Sequence, residues 1–402
     1  MPEVIDGQYI TVRLRLEPTK EQRILLKERT ALYTSLLNDC VAIAIQQPQS
    51  IHRNRTRMHH ALYYTLRKLY QQLPAMDVIT AVGKVVEALK SRDAHIYRLE
   101  KQIQWLKENQ RKVHPKLQKR LERLRTIAPK FKSATVPLPY KLGYSLWRET
   151  REISVTTYAK MRARMQYTAC EYFRAKLDSA LAFKEAELFY DQEKHRWYLN
   201  VATLQECAPK RSGVPLGVDL GIENLITTDD GYKVRGDAVW ERAKHHQNLH
   251  SRLQHAADNG SRSARRNLKQ SSGRLGRFMD NWCHCIAKEV VNHALELGRG
   301  AIALERLRGL ESKSMSKYMR KLIGRWPHAK LAEYITYKAR LAGLEIIPVF
   351  PAHTSTTCSI CGYHDKKARV NRGTFRCPQC GDLDADINAA KNIALRAVQR
   401  AA

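Results

Sequence analysis

Three acidic side chains that lie far apart along the chain occur in the context expected of a metal-binding carboxylate cluster. Asp219 interrupts the apolar run 216–220, and Glu305 ends a second short apolar run, Ala301–Glu305. Asp386 stands where a helical pattern begins. Burying an ionised carboxylate costs free energy unless a cation or hydrogen bonds compensate it. Acids that lie together also repel one another, so a cluster of three is stable mainly when it holds a divalent metal ion.

Carboxylate oxygens of this kind suit Mg²⁺ or Mn²⁺, and a pair of such ions catalyses phosphodiester hydrolysis. For any one of these acids alone, a structural aspartate hydrogen-bonded at a strand end would be an equally good interpretation. Three such acids in similar contexts favour the metal site. Asp384 lies close to Asp386 in the sequence, so both are candidates for the third acid.

A sheet is needed to bring these acids together. The apolar runs 216–220 and 225–228, followed by the turn 229–231, predict a hairpin in the centre of a sheet. Apolar residues repeat at helical spacing from residue 387 to residue 398, which puts Asp386 at a helix start. Two carboxylates at strand ends and one at a helix start converge readily on one edge of an α/β sheet.

Two pairs of cysteines have the spacing of a zinc site. Cys358-Ser-Ile-Cys361 and Cys377-Pro-Gln-Cys380 are separated by fifteen residues, and each pair is followed by a glycine. This spacing predicts tetrahedral Zn²⁺ held by four thiolates, which leaves no open position and therefore indicates a structural ion. A redox pair or a disulfide is the alternative. The loop between the pairs contains three arginines, at 369, 372 and 376, which suggest that the ribbon also contacts nucleic acid.

A second group, Cys283-His284-Cys285, is a weaker candidate for metal binding. Neighbouring residues on a helix point to different faces, so we expect unliganded thiols at these two cysteines.

The composition indicates a polyanionic partner. The 402 residues include 70 Lys and Arg against 39 Asp and Glu, a formal charge of +31, and 43% are hydrophobic. This length and apolar content predict two or three packed domains, and the charge favours nucleic acid, bound with release of counterions. No run approaches the about 20 apolar residues of a membrane-spanning helix. No signal-peptide pattern begins the chain, so we expect a reducing, cytoplasmic location where nine cysteines are not a disulfide framework.

The N-terminal half reads as strands around a helical insertion. Residues 9–16 alternate as a strand, Thr19 caps a helix that starts at Lys20, and helical patterns continue to about residue 125. They end in an antiparallel hairpin at 92–125, with Pro115 near the start of its second helix. The basic outer faces of this hairpin fit a solvated surface and a phosphate-contacting arm equally well.

After the Pro-rich boundary at 129–139, short strands at 153–157, 187–190 and 197–201 are expected to complete a small barrel with the first strand. A helix is predicted at 167–182. Further along, helical stripes run through 262–295, and residues 307–325 read as a basic loop or lid. A helix at 329–341 and a strand at 344–350 are predicted to follow it.

The motifs Gly217-Val-Asp-Leu-Gly221, Leu304-Glu-Arg-Leu307, Thr354-Ser-Thr-Thr-Cys-Ser-Ile-Cys-Gly362 and Asp386-Ile-Asn-Ala-Ala-Lys-Asn-Ile393 resemble the nuclease half of the TnpB family. These proteins are RNA-guided nucleases of IS200/IS605-type transposons and are related to the compact type V CRISPR effectors. The resemblance covers roughly residues 214–395, where the motifs occur in the family's order. The N-terminal half is similar in organisation only.

The resemblance implies a multidomain α+β fold. It consists of an N-terminal β-barrel (wedge) with a helical insertion, and a C-terminal RNase H-like (RuvC-like) α/β nuclease domain with an inserted zinc ribbon that binds the target nucleic acid. The implied ranges are 1–17 and 130–213 for the barrel, 18–129 for the helical recognition domain, 214–352 and 382–402 for the nuclease domain, and 353–381 for the ribbon.

The resemblance also implies the site and its partners. Asp219, Glu305 and Asp386 would be the catalytic ligands of Mg²⁺ or Mn²⁺, in an RNA-guided DNA endonuclease. The implied partners are a guide RNA, the target double-stranded DNA and its displaced single strand, with no membrane contact. A monomer in the prokaryotic cytoplasm, associated with the nucleoid, is favoured.

Two departures from the family pattern keep other functions open. His353 stands where an aromatic residue commonly precedes the Thr-Ser pair, and the hairpin at 92–125 is long for a plain family member. A compact type V CRISPR effector is therefore an alternative. Others are a guided DNA-binding regulator that does not cleave, an RNA-independent nuclease of the same fold and, less favoured, a strand-transfer transposase.

Overall fold

The computed structural model describes residues 7–306 and 328–401. The chain divides into two compact units, one formed by Tyr9–Gln205 and the other by Glu206–Ala402 together with Met1–Gln8. Among the described residues, every helix is too short or too polar to cross a lipid bilayer. The loop predicted at 307–325 lies outside the described residues.

The first unit is built on a nearly closed seven-stranded sheet in the order β2-β6-β7-β1-β5-β4-β3. Alternate residues of its first strand, including Val12 and Leu14, are fully buried, as a strand with one face on a core requires. The expected N-terminal barrel is thus present as this sheet. Its strands are β1 (Gly7–Glu17), β2 (Val136–Leu138), β3 (Tyr144–Trp147), β4 (Glu152–Tyr158), β5 (Met161–Thr168), β6 (Ala182–Asp191) and β7 (Arg196–Glu206).

Five helices are inserted between β1 and β2. Thr19 forms a capping box with Gln22 at the start of the first helix, and Pro115 occupies the first turn of the last. The apolar stripes of the first, third and fourth helices and the inner face of the sheet form one hydrophobic core. These helices are α1 (Lys20–Ala44), α2 (Gln49–His52), α3 (Arg55–Leu69), α4 (Ala75–Glu108) and α5 (Pro115–Thr126).

The prediction of a helix at 167–182 is wrong at both ends, where the chain is not helical. A shorter helix, α6 (Glu171–Asp178), lies between the strands β5 and β6. In β5 the apolar residues Ala163, Met165 and Tyr167 are buried and the residues between them are exposed, a period of two that defines a strand. This strand pattern continues to Thr168, so the helix starts later than the sequence predicted.

The second unit is a three-layer α/β structure. Its sheet has the order β10-β9-β8-β11-β12, in which the first three strands are antiparallel and the last two run parallel to β8. The predicted hairpin, the strand ending at Glu305 and the strand after residue 344 are confirmed. The strands are β8 (Pro215–Asp219), β9 (Asn224–Thr228), β10 (Lys233–Arg235), β11 (Ala301–Glu305) and β12 (Glu345–Val349).

Helices cover both faces of this sheet. On one face Leu216 and Val218 of β8 share a core with Ile286 and Val290 of α9. On the other face α11 crosses β8 so closely that a side chain at Gly217 would collide with the carbonyl oxygen of Ala390. The helices of this unit are α7 (Asp237–Asp258), α8 (Arg262–Ser271), α9 (Arg274–Glu296), α10 (His328–Leu341) and α11 (Ala385–Ala401).

A small antiparallel hairpin precedes α11. It is formed by β13 (Thr374–Cys377) and β14 (Gly381–Asp384). The fully buried Phe375 packs with Ala368 and Ala385 in a core of its own. This hairpin carries the second cysteine pair into position opposite the first.

Candidate active site and metal centre

Two of the predicted acids lie side by side at the ends of parallel strands. In the pairing of β11 with β8, Leu304 is opposite Val218. Glu305 and Asp219 follow these partners directly, so both carboxylates lie at the same edge of the sheet. The helix α11 starts at this edge with Asp386 as its second residue. All three acids are intermediate in exposure as whole residues.

Asp219 is influenced by the charges of both other acids. Burial, followed by the negative charges of Glu305 and Asp386, raises the pKa of Asp219 from 3.8 to about 7. Burial also raises the pKa of Glu305, against the opposing effects of a hydrogen bond from Thr354 and the charge of Arg396. The cluster therefore favours bound protons or a cation at neutral pH.

The neighbouring acids Asp384 and Asp386 have different surroundings. Asp386 accepts hydrogen bonds from Arg369 Nη2 and from Asn224 Nδ2, both at 2.9 Å. Asp384 instead caps α11, because its Oδ1 accepts from the backbone N–H of Asp386 and of Ile387, at 3.1 and 3.0 Å. It also pairs with a lysine of β10, at 2.6 Å. The charge of Asp386, and not that of Asp384, is among the main causes of the raised pKa of Asp219.

The carboxylates are spread more widely than the ligands of a single ion. In residues 7–306 and 328–401, the cysteine group is the only set of three or more His, Cys, Asp or Glu whose ligand atoms all lie within 4.8 Å of one another. Paired catalytic ions lie about 3.5–4 Å apart and need a ligand set wider than one coordination shell. In chemistry and in charge, the three carboxylates suit divalent cations.

The four predicted cysteine ligands lie together. Cys358, Cys361, Cys377 and Cys380 place their sulfur atoms within 4.8 Å of one another, and the sulfurs of Cys361 and Cys377 are 3.5 Å apart. Tetrahedral zinc with Zn–S bonds of about 2.3 Å requires sulfurs ~3.8 Å apart, so this group could bind zinc. Cys283 and Cys285 do not belong to any such group among the described residues.

The backbone after each cysteine pair explains the two glycines. Gly362 has φ +77° and Gly381 has φ +79°, both in the left-handed region that other residues rarely adopt. In the first turn, the N–H of Gly362 donates to the carbonyl of Cys358 at 3.0 Å, which closes a tight turn around the first cysteine pair.

Three polar contacts of the site were not predicted from the sequence. Asn224 and Arg369 bind Asp386, and the Thr354 hydroxyl donates to Glu305 Oε1. Arg369 is one of the three arginines predicted to contact nucleic acid, and in the structure its guanidinium reaches the carboxylate of Asp386. Arg376 pairs with Asp382 on the same hairpin, at 2.8 Å. The only sequence signal for Thr354 was its place at the start of the motif that contains the first cysteine pair.

Comparison with known proteins supports the resemblance seen in the motifs. Residues 328–393 match the protein family described as Cas12f1-like, TNB domain. The CRISPR-associated endodeoxyribonuclease Cas12f1 of Sulfoacidibacillus thermotolerans is 27% identical over 228 residues, which cover 52% of each chain. A TnpB-like protein of Methanocaldococcus jannaschii is 26% identical over 196 residues, 46% of this chain and 69% of that protein. The chain spans about half the length of the Cas12f1 relative.

A solved structure shares the fold. The structure of a Cas12f1–sgRNA–target DNA complex contains a chain that aligns with 97% of this one and with 99% of its own length, at 15% identity and a TM-score of 0.53. At this identity the likeness shows the fold alone. The predicted resemblance to TnpB proteins and compact type V effectors is therefore confirmed, and the chain has a multidomain fold of that kind.

Proposed function

We propose that this chain is an RNA-guided DNA endonuclease of the TnpB type, which cuts DNA by two-metal hydrolysis at Asp219, Glu305 and Asp386. The observation that carries the proposal is the convergence of these acids at one sheet edge, where burial and the other two charges raise the pKa of Asp219 to about 7. The names of the relatives support it, since Cas12f1 is an endodeoxyribonuclease and its solved complex contains a guide RNA and target DNA.

In this proposal the ligands of the ions have different positions. The charges of both other acids act on Asp219, so it would be a ligand of the divalent metal together with them. Glu305 and Asp386 would supply the other carboxylate ligands. When bound, Mg²⁺ or Mn²⁺ at these positions lowers the pKa of a water nucleophile and stabilises the leaving oxygen. Asn224 and Arg369 orient Asp386, and the guanidinium balances its charge.

The second unit then corresponds to a RuvC-like nuclease domain with a zinc ribbon, for which the proposed ranges are 214–352 with 382–402, and 353–381. The four cysteines would hold Zn²⁺ with no free coordination position, so this ion has a structural role. The nearly closed sheet would be the wedge domain, formed by 1–17 and 130–213, with the helices of 18–129 as the recognition domain.

The proposed partners are a guide RNA, the target DNA duplex and the displaced strand. A formal charge of +31 suits long-range attraction of these polyanions. Exposed cations line the hairpin of α4 and α5, where they would contact backbone phosphates; they include Arg111, Lys112, Lys116, Lys119, Arg120 and Arg123. Base pairing with the guide would select the target, while the protein reads shape and charge.

A compact type V CRISPR effector is the second candidate, favoured by the Cas12f1-like match at 328–393. The two candidates share the chemistry and differ in the source of the guide. Sequencing the RNA that co-purifies with the protein separates them. A CRISPR repeat with a spacer identifies an effector, whereas RNA from a transposon end identifies a TnpB nuclease.

Replacement of the central acid tests the proposed function. In Asp219→Ala, guided binding of target DNA is expected to persist while Mg²⁺-dependent cleavage falls below detection, because a metal ligand is lost. The matched control is Asp258→Ala, which removes an exposed carboxylate at the end of α7 and is expected to cut normally. Cleavage retained by Asp219→Ala would exclude the assignment. A wild-type protein that binds guided target without cutting would favour a regulator instead.

A further inference from the structure

Two buried asparagines on α11 have no role in the proposed chemistry. Asn388 and Asn392 are 2% and 6% exposed, and they lie one turn apart on one face of the helix that carries Asp386 in its first turn. A buried amide side chain requires hydrogen-bond partners for its donors and its acceptor. The partners of both residues lie in the same short segment, residues 354–359, which we call the strap.

The strap is irregular backbone that the two amides hold in place. Asn392 Nδ2 donates to the carbonyls of Thr354 and Thr357, at 2.9 and 2.7 Å. Asn388 Nδ2 also donates to the carbonyl of Thr357, at 2.7 Å, and its Oδ1 accepts from the N–H of Ser359 at 2.8 Å. Irregular segments lack the regular pairing of a sheet, so side chains must supply these bonds.

Each end of the strap contacts one of the two candidate metal sites. At its start, Thr354 is 3% exposed and its hydroxyl donates to Glu305 Oε1. The same hydroxyl lies 3.0 Å from the carbonyl of Pro351, and the charged carboxylate is the stronger acceptor of its single proton. At its other end the strap contains Cys358 and Ser359, within the first cysteine pair.

These contacts form a continuous connection between the acids. It runs from the helix of Asp386 through Asn392 to the backbone of Thr354, and from the Thr354 hydroxyl to Glu305. A parallel connection runs through Asn388 to the cysteine pair. The distance between the Glu305 and Asp386 carboxylates thus depends on the strap, in addition to the packing of helix on sheet.

We propose that Thr354, Asn388 and Asn392 are positioning residues, which set Glu305 relative to Asp386 and couple the cysteine centre to the carboxylate site. The proposal deepens the proposed function and relies on it for the role of the two acids. It assigns one purpose to two sequence motifs, the Thr-Ser motif and the Asn-Ala-Ala-Lys-Asn motif, that the three acids alone leave unexplained.

The first test removes only the hydroxyl of Thr354. Thr354→Val keeps the shape of the side chain, and we expect it to cut guided target at least tenfold more slowly at saturating DNA, with unchanged affinity for target DNA. We also expect a several-fold higher Mn²⁺ concentration for half-saturation, measured from the free Mn²⁺ signal in electron paramagnetic resonance. Thr354→Ser retains the hydroxyl and is expected to restore both values to within about twofold.

The second test acts on the amide. Asn392→Asp keeps the size of the side chain but replaces the donor with an acceptor. The carbonyl of Thr354 then loses its amide partner, and the carbonyl of Thr357 keeps only the amide of Asn388. We expect faster hydrogen exchange in the strap and in β11, with the same weakening of Mn²⁺ binding. Asn248→Asp, on the exposed surface of α7, is the matched control and is expected to change neither value.

The outcomes separate this proposal from the proposed function. If wild-type protein does not cut DNA, the function fails, but Mn²⁺ binding and hydrogen exchange still test the positioning. If wild type cuts and Thr354→Val equals it in rate and in Mn²⁺ affinity, the positioning is overturned and the function stands. Failure of both Thr354→Val and Thr354→Ala to fold also overturns it, because the hydroxyl would then serve folding.

Discussion

Divalent metal binding to the carboxylate site is expected to depend on pH near neutrality. In the metal-free protein, burial and then the charges of Glu305 and Asp386 raise the pKa of Asp219 to about 7. A metal ion binds the ionised carboxylate and must displace the proton below that pKa. Competition by one such proton lowers the apparent metal affinity relative to that of the fully ionised group. The factor is about 11 at about pH 6 and only about 1.1 at about pH 8, so the affinity differs about tenfold between these pH values.

Calorimetry measures both the affinity and the displaced proton. Mn²⁺ is titrated into nucleic-acid-free, zinc-loaded protein in two buffers that differ in ionisation enthalpy. The difference in heat gives the protons released per bound ion, expected to be about 0.9 at about pH 6 and about 0.1 at about pH 8 for a group with this pKa. The raised pKa of Glu305 adds to the release at the acid end of this range.

Variants identify the group that releases the proton. Asp219→Asn is expected to bind Mn²⁺ weakly and to lose most of the pH-dependent proton release. Asp258→Asn, at an exposed residue of α7, is expected to match the unaltered protein in Mn²⁺ affinity and in proton release. The same pKa shift makes the metal-free protein less stable as the pH rises through about 7, because the ionised form of Asp219 is the disfavoured one in the folded state. Equal Mn²⁺ affinity at about pH 6 and about pH 8 in the unaltered protein would refute the reasoning.

Two further predictions concern the cysteine centre and a buried acid of the first unit. Removal of zinc with a chelator is expected to expose the chain between Cys358 and Cys380 to proteolysis, as monitored by mass spectrometry; unchanged cleavage sites would contradict a structural ion. Asp93 is 7% exposed and accepts from Arg53 at 2.8 Å and His52 at 3.1 Å. Burial alone would raise the pKa of Asp93, but the hydrogen bonds outweigh burial, and the net pKa lies below the ordinary value of 3.8. The ionised Asp93 therefore stabilises the folded protein above about pH 3.8, and this contribution is lost as the pH falls further. Asp93→Asn is expected to lower the free energy of unfolding by about 1–3 kcal/mol at neutral pH and to flatten its acid dependence in urea titrations, and parallel curves would contradict this.

The elements that carry the acids were predictable because their signals are local. A carboxylate that ends an apolar run of five residues marks a strand that reaches the edge of a sheet, as Glu305 does. The helical repeat after residue 386 is likewise contained in one segment. The cysteine spacing needs no knowledge of the fold at all, and the four sulfur atoms meet as predicted.

Signals that mix two patterns were misread. In β5, arginines at 162 and 164 alternate with buried apolar residues, and the strand leads within three residues into a helix. A sequence window that covers both elements shows neither period clearly, which explains the helix predicted at 167–182. Short strands such as β2 and β3, of three and four residues, give too few positions for any period.

The geometry of the site could not be predicted because it depends on residues distant in the sequence. Asp219 is fixed by its strand, and α11 approaches that strand closely because residue 217 is glycine. The contact at Gly217 fixes the helix of Asp386 against β8. It does not fix that helix relative to Glu305, which lies on the neighbouring strand β11. The strap supplies the missing constraint, since Asn392 binds its backbone and Thr354 binds Glu305. A sequence motif shows that these residues occur together, whereas their purpose follows only from which carbonyls and which carboxylate the fold places beside them.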